Sequence, residues 1–238
     1  ANILPHSAGI GRLVTRDPPG PGDNRNEADL FADMDDQKAR EIIEANLRAL
    51  RGGMNYGFST ESFTVHYEVA PARLTPGKYR KITGNEALAM GGAAAGVKFY
   101  AAYPMSPSTG VLHWFAQNAR NLGIMVRQVE DEIGVANMVI GAAHTGVRAM
   151  CATAGGGFAL MTEAVGMAGM MELPVVFINV QRAGPSTGVP TKTEQGDLWQ
   201  ALGASQGDFE RFIVAPLSAL DAFNTMPELF NLAEKYQC

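Results

Sequence analysis

The sequence predicts an α/β protein with a doubly wound, mainly parallel sheet and helices on both faces. From residue 97 onward, short apolar runs alternate with longer segments of helical character. Strands that alternate with helices imply βαβ units, and the right-handed crossover rule places helices on both sides of the sheet. Polar residues follow several of the predicted strands, at the edge where parallel sheets bind ligands.

The predicted elements of this domain follow one another with short connections. Thr83 and Glu86 have the spacing of a capping box at the start of the first helix. The elements are helix 87–95, strand 97–103, helix 110–120, strand 124–128, helix 133–144, strand 147–152, loop 153–157, helix 158–171 and strand 175–180.

The residues before this domain predict an appendage rather than a second core. Residues 1–35 are rich in Pro, Gly, Asn and Asp, which is typical of an extended connection. A helix capped by Asp35 or Asp36 should run to Arg51 and end at Gly52–Gly53. The alternating segment Ser62–Tyr67 predicts a short strand.

Three divisions follow from this pattern. Residues 1–80 form an appendage and linker, residues 81–216 form the α/β domain, and residues 217–238 form a helix that leads to a further domain. The first residue is Ala, and the last four residues carry no turn signal. We therefore expect this sequence to be a piece of a longer polypeptide or an incomplete part of a longer subunit.

The composition excludes several classes of function. A formal net charge of -5 gives no basic footprint for nucleic acid. No apolar run reaches the length of a membrane span, and no basic-then-apolar signal segment begins the chain. Two cysteines cannot hold an iron–sulfur cluster, and His66, His113 and His144 have no partner at metal-ligand spacing. The sequence therefore predicts a cytoplasmic protein without a metal site of its own.

Glu132 is the candidate catalytic residue, and the residues around it leave two interpretations open. Glu130, Asp131 and Glu132 stand together at the start of a predicted helix, so they can simply stabilise its N-terminus. Alternatively, Glu132 is held in an apolar pocket beside Ile133 and Val135. Burial would then favour its protonated form, and it would share a proton with a heterocyclic nitrogen.

Other candidates follow the neighbouring strands. Ser106 lies at a strand end in a loop stiffened by two prolines. Its hydroxyl can bind a substrate, or it can only stabilise the loop. Arg182 follows the run Val175–Val180, where its guanidinium can bind a carboxylate or form a surface ion pair. The triplet Gly155–Gly157 lacks the residues of a phosphate-binding loop and most simply allows a tight turn.

Five motifs follow one another along the chain: Gly84–Ala87, Tyr103–Ser108, Val129–Gly134, Thr153–Gly157 and Gln181–Gly188. Together they resemble the α subunit of 2-oxoacid:ferredoxin oxidoreductases, in its pyrimidine-binding domain for thiamine diphosphate. The resemblance covers about residues 82–216, and the run from Arg182 to Gln195 is more similar to the 2-oxoglutarate type than to the pyruvate type. Residues 36–58 resemble the end of the family's γ domain.

The resemblance implies roles for individual residues. Glu132 contacts the aminopyrimidine ring and promotes loss of the thiazolium proton. Ser106, where the family usually has Thr, and Arg182 contact the substrate, and Arg182 holds its carboxylate. Lys192 is a candidate for the distal carboxylate of 2-oxoglutarate. The remaining cofactor contacts implied are Tyr103, Pro104 and Gly156.

The resemblance also implies cofactors and partners. Thiamine diphosphate is shared with a β subunit, which carries Mg2+, because the Gly-Asp-Gly motif of thiamine enzymes is interrupted here by Leu198 and Phe209. The β subunit also carries a [4Fe-4S] cluster, because the two cysteines of this chain cannot hold one. The implied hetero-oligomeric oxidoreductase converts 2-oxoglutarate, coenzyme A and oxidised ferredoxin to succinyl-CoA, CO2 and reduced ferredoxin, or carries out the reverse carboxylation. A pyruvate or branched-chain 2-oxoacid enzyme, a non-catalytic scaffold subunit and an unrelated α/β nucleotide-binding protein are the alternatives.

Overall fold

The computed structural model describes residues 37–61, 70, 72–77, 79 and 81–238. The chain divides into two compact units between Lys81 and Ile82, and each is described by itself. The helices and strands are α1 (Gln37–Ser59), α2 (Gly84–Ala94), β1 (Phe99–Ala102), α3 (Thr109–Leu122), β2 (Met125–Gln128), α4 (Glu132–His144), β3 (Ala149–Thr153), α5 (Gly155–Met170), β4 (Val175–Asn179), α6 (Leu198–Leu202) and α7 (Ala219–Tyr236).

The four strands form one parallel sheet in the order β2-β1-β3-β4. Phe99 in β1 pairs with Met125 of β2 on one side and with Ala149 of β3 on the other. Strand β3 then pairs in parallel with β4 along its full length. The predicted parallel α/β fold is therefore confirmed.

Helices cover both faces of the sheet and create two apolar cores. Tyr100 points to the core beneath α2, α3 and α7, where its ring stacks on Phe115 at 4.6 Å between centroids. Its neighbour Ala101 points to the opposite core, beneath α4 and α5. Every residue of β3 is buried, as expected for a central parallel strand covered on both faces.

Two glycine predictions are wrong. Helix α1 does not end at Gly52–Gly53 but continues to Ser59, and the first left-handed residue is Glu61, with φ of 47°. Glycine inside a helix costs only about 0.5–1 kcal/mol, so it permits a stop without imposing one. Similarly, the predicted loop 153–157 is already helical from Gly155. The predicted cap at Asp35 or Asp36 and the strand Ser62–Tyr67 lie outside the described residues.

The predicted capping box is confirmed at the start of α2. The Thr83 hydroxyl accepts a hydrogen bond from the Glu86 amide, and the Glu86 carboxylate accepts one from the Thr83 amide at 2.7 Å. This end of α2 is therefore fixed before β1 begins. None of the helices in the described part of the chain is long and apolar enough to cross a membrane.

Arg148 joins α7 to the amino-terminal end of β3. Its guanidinium donates to both carboxylate oxygens of Glu234, at 2.7 and 2.6 Å, and to the Ala95 carbonyl at 2.6 Å. It also lies over the Phe230 ring. The hydrogen bond from Arg148 lowers the pKa of the Glu234 carboxyl.

We expect Glu234→Gln to destabilise the protein at neutral pH by about 0.2–1 kcal/mol, the range for partly exposed ion pairs. The Glu234 side chain is 43% exposed, so solvent screens the pair. Because its folded-state pKa is lowered, this stabilisation is complete above the ordinary value of 4.5 and is lost as pH falls through the lowered pKa. Thermal unfolding across pH measures it, with Glu228→Gln on the same helix as control. A gap from wild type that persists in acid would contradict the prediction.

Candidate active site

The sheet has a topological switch point between β1 and β3. The connection after β1 runs through α3 to β2, at one edge of the sheet. The connection after β3 runs through α5 to β4, at the other edge. Ligands of parallel sheets bind in the crevice that such a divergence opens at the carboxyl ends of the strands. The loop after β1 and the first turn of α5 therefore border the candidate site.

Glu132 is buried at this edge, at the first residue of α4. Only 5% of it is exposed. The helix cap is supplied by its neighbour, because the exposed Asp131 carboxylate accepts a hydrogen bond from the Gly134 amide at 2.5 Å. Capping thus needs Asp131 and not Glu132, which leaves the Glu132 carboxyl available for a ligand.

Thr153 and Gly157 lie against Glu132. Thr153, the last residue of β3, is 1% exposed. A Cβ atom built at Gly157 would stand 3.0 Å from Oε1 of Glu132 and would overlap the Thr153 hydroxyl oxygen. That hydroxyl also lies 3.8 Å from the sulfur of Met105, in the loop after β1. The ends of β1 and β3 and the start of α4 therefore meet at one place.

Arg182 joins the same cluster from the end of β4. It is 9% exposed, and its Nη1 donates to the backbone carbonyl of Ser106 at 2.8 Å. Its Nε is buried and has no hydrogen-bond partner among the described residues. A buried guanidinium with an unused donor is suited to bind an anion, because an unsatisfied buried donor is costly.

The loop after β1 is held by polar contacts of its own. The Asn85 amide donates to the Pro107 carbonyl at 2.7 Å, and the Ser108 hydroxyl donates to the Met105 carbonyl at 2.7 Å. Tyr103 is half-buried against the core beneath α4 and α5, whereas Pro104 and Ser106 are exposed. Arg182 therefore contacts the Ser106 carbonyl, and the Ser106 hydroxyl is not part of that contact.

A second polar network, which the sequence did not predict, closes the amino-terminal end of α5. Asp197 accepts a hydrogen bond from the Asn179 amide at 2.9 Å, and its own amide donates to the Gln181 side chain at 3.0 Å. A Cβ at Gly155 would stand 2.7 Å from the Asp197 carboxylate. Gln181, which directly follows the predicted strand 175–180, was the only sequence signal for this network.

The remaining predicted site residues lie in or against the segment after Arg182. A Cβ at Gly156 would make an ordinary 3.6 Å contact with the Ser186 carbonyl, so this segment packs on α5. Lys192 is exposed, and its amide donates to the Val189 carbonyl. No contact among the described residues joins the Lys192 side chain to the buried cluster.

The other buried titratable groups lie within the sheet. Burial raises the pKa of the Cys151 thiol and, with a smaller contribution from Cys151, that of the Tyr100 hydroxyl. Both groups therefore stay neutral and serve packing. Within the described part of the chain, no group of three or more His, Cys, Asp or Glu side chains could hold a metal ion.

These features define a parallel α/β domain with a buried carboxyl and a buried guanidinium at its switch point. The family model described as "Pyruvate flavodoxin/ferredoxin oxidoreductase, thiamine diP-bdg" matches residues 90–238. The chain belongs to this thiamine diphosphate-binding family, which confirms the family resemblance in the sequence.

Individual relatives are similar over much of this chain. The "2-oxoglutarate oxidoreductase subunit KorA" of Mycobacterium tuberculosis is 45% identical over 201 residues, which cover 82% of this chain and 31% of the relative. The "2-oxoglutarate synthase subunit KorA" of Methanothermobacter thermautotrophicus is 47% identical over 156 residues, 66% of this chain and 42% of the relative. The chain thus spans less than half the length of these relatives.

A solved structure is also similar. It is described as 2-oxoglutarate:ferredoxin oxidoreductase from Magnetococcus marinus with 2-oxoglutarate, coenzyme A and succinyl-CoA bound. The TM-score is 0.69 at 35% identity, and the match covers 89% of this chain and 36% of that one.

Proposed function

We propose that this chain is the pyrimidine-facing part of the α subunit of a thiamine-dependent 2-oxoacid:ferredoxin oxidoreductase that acts on 2-oxoglutarate. The observation that carries the proposal is the buried cluster at the carboxyl edge of the sheet. There Glu132 and Thr153 lie on either side of Gly157, the Thr153 hydroxyl is near the Met105 sulfur, and Arg182 donates to the carbonyl of the next residue, Ser106.

The surroundings of Glu132 fit the aminopyrimidine ring of thiamine diphosphate. The carboxyl is buried, it is not used to cap α4, and it forms no hydrogen bond or ion pair within the described residues. It can therefore share a proton with a ring nitrogen in a site with little water, where such a bond is strong. When bound, the cofactor supplies the carbanion chemistry that releases CO2 from a 2-oxoacid.

Arg182 fits the carboxylate that all 2-oxoacids share. One donor of its guanidinium holds the Ser106 carbonyl, and the buried Nε has no hydrogen-bond partner in the described part of the chain. A planar, pre-positioned guanidinium is the side chain best suited to a carboxylate. Ser106, Tyr103, Pro104 and Gly156 remain proposed contacts, as does Lys192 for the distal carboxylate.

The rest of the reaction requires other components. We assign the diphosphate and Mg2+ site and the [4Fe-4S] cluster to a β subunit. Coenzyme A is the proposed acyl acceptor, and ferredoxin is the proposed electron acceptor. The names of these relatives support 2-oxoglutarate as the substrate over pyruvate or a branched-chain 2-oxoacid. A cytoplasmic location and the three divisions of the chain remain predictions from the sequence.

A scaffold subunit without catalysis is the second candidate. It would leave Glu132 exposed and would give Arg182 only local partners. The burial of Glu132 and a contact from Arg182 to a residue 76 positions away both favour the catalytic proposal.

The test is anaerobic reduction of a viologen dye by the complex that contains this chain and its β subunit. We expect reduction that requires coenzyme A and is faster with 2-oxoglutarate than with pyruvate or a branched-chain 2-oxoacid. A preference for another 2-oxoacid would contradict the substrate assignment. Complete inactivity of an assembled complex loaded with thiamine diphosphate would favour the scaffold.

A further inference from the structure

The backbone of α5 at Gly157 lies beside the carboxyl of Glu132, with no room between them for a side chain. A Cβ built at this position would stand 2.9 Å from Cγ and 3.0 Å from Oε1 of Glu132, and it would overlap the hydroxyl oxygen of Thr153. Real Cβ atoms essentially never approach other heavy atoms closer than 3.0 Å. A glycine is therefore required here for both side chains to keep their places.

Backbone conformation does not explain the glycine. Gly157 lies in the first turn of α5 and is absent from the glycines with positive φ. Any residue can adopt this backbone geometry, so the requirement is one of space alone. That space is taken by Thr153 and Glu132.

Thr153 forms a second wall beside Glu132. Its hydroxyl is buried, and its hydrogen bonds are long, 3.5 Å to the Ala154 carbonyl and 3.8 Å to the Met105 sulfur. The bond to the carbonyl exceeds the usual length of a bond donated by a hydroxyl to oxygen, and a thioether sulfur is a weak acceptor, so the donor has no strong partner within the described residues. The hydroxyl and Oε1 of Glu132 both lie within 3.0 Å of the position that a Cβ at Gly157 would take.

We infer that Gly157 and Thr153 are positioning residues, which hold the Glu132 carboxyl in the direction needed to meet the pyrimidine ring. This inference rests on the proposed function. A glutamate has three rotatable side-chain bonds, and a carboxyl free to turn would meet the ring only part of the time. A displacement of about 1 Å at a reacting group can lower a rate about 10²-fold.

The test compares three variants of the assembled complex. Gly157→Ala pushes on both neighbours. Thr153→Ala/Gly157→Ala removes the hydroxyl that the new methyl group would overlap, so it folds more readily while still pushing on Glu132. Gly141→Ala is the matched control, because Gly141 lies on the same helix as Glu132 and a Cβ there meets nothing within 4 Å.

The readout is the rate at which the C2 proton of bound thiamine diphosphate exchanges with deuterium, at saturating cofactor and without 2-oxoacid. We expect both Gly157 variants to lower this rate about 10²-fold. The thermal unfolding temperature of the double variant should stay close to that of the Gly141→Ala control. An exchange rate in the double variant equal to the control's would overturn the inference.

Combination with Glu132→Gln separates this inference from the proposed function. If Gly157 acts through Glu132, adding Gly157→Ala to Glu132→Gln should lower the exchange rate little further, because the two changes remove one effect. Independent losses that multiply would overturn the positioning role. If Glu132→Gln alone left the exchange rate unchanged, the proposed role of Glu132 would fail instead.

Discussion

Glu132→Gln is expected to lower kcat/KM for the 2-oxoacid by about 10²–10⁴-fold, the usual contribution of a positioned acid or base. Glutamine keeps the size of the side chain but cannot exchange a proton with a ring nitrogen. Because Asp131 caps α4, the substitution leaves the start of the helix intact. Steady-state kinetics of the complex at saturating thiamine diphosphate measure the effect.

Glu130→Gln is the matched control for this experiment. Glu130 lies two residues earlier in the same turn, but it is exposed. A simple electrostatic effect on the start of α4 would make the two variants similar. Equal activity of Glu130→Gln and Glu132→Gln would therefore contradict a proton-transfer role for Glu132.

Arg182→Lys should lower kcat/KM for the 2-oxoacid by about 10²-fold, mainly through a higher KM. Lysine keeps the positive charge but loses the planar group that can bind Ser106 and a carboxylate together. Hydrogen bonds to charged groups each contribute about 1.5–3 kcal/mol, so the loss of one or two accounts for this change. Initial rates over a range of 2-oxoacid concentrations separate KM from kcat.

Arg211→Lys controls for the structural part of the Arg182 effect. Arg211 also donates to a backbone carbonyl, that of Ala204 at 2.7 Å, and its guanidinium lies over the Phe209 ring. Loss of such a contact alone should change stability and leave KM unchanged. An unchanged KM in Arg182→Lys would mean that Arg182 only braces the loop at Ser106.

The parallel sheet could be predicted because local patterns determine it. Each predicted strand, each predicted helix and the capping box at Thr83 can be read from residues that are neighbours in the sequence. The alternation of strands with helices then follows from their order along the chain. Glycine was less informative: Gly52–Gly53 and Gly155 can each lie within a helix or end one. The choice depends on neighbours that are distant in the sequence.

The site could be predicted only in part. Glu132 and Arg182 stand at strand ends, where a parallel sheet places ligands, so position in the pattern was sufficient to select them. The sequence could not show that Asp131 takes the capping role and leaves Glu132 buried. Nor could it show the Asp197 network, which depends on contacts between segments far apart in the chain.

A structure of the assembled complex with thiamine diphosphate bound is the most direct test of the role proposed for Glu132. We expect a Glu132 carboxylate oxygen at hydrogen-bond distance, about 2.6–3.2 Å, from a nitrogen of the pyrimidine ring. The ring should lie beside the first turn of α5, next to Gly157. A cofactor bound elsewhere, or a Glu132 carboxyl that contacts only protein, would contradict the central claim.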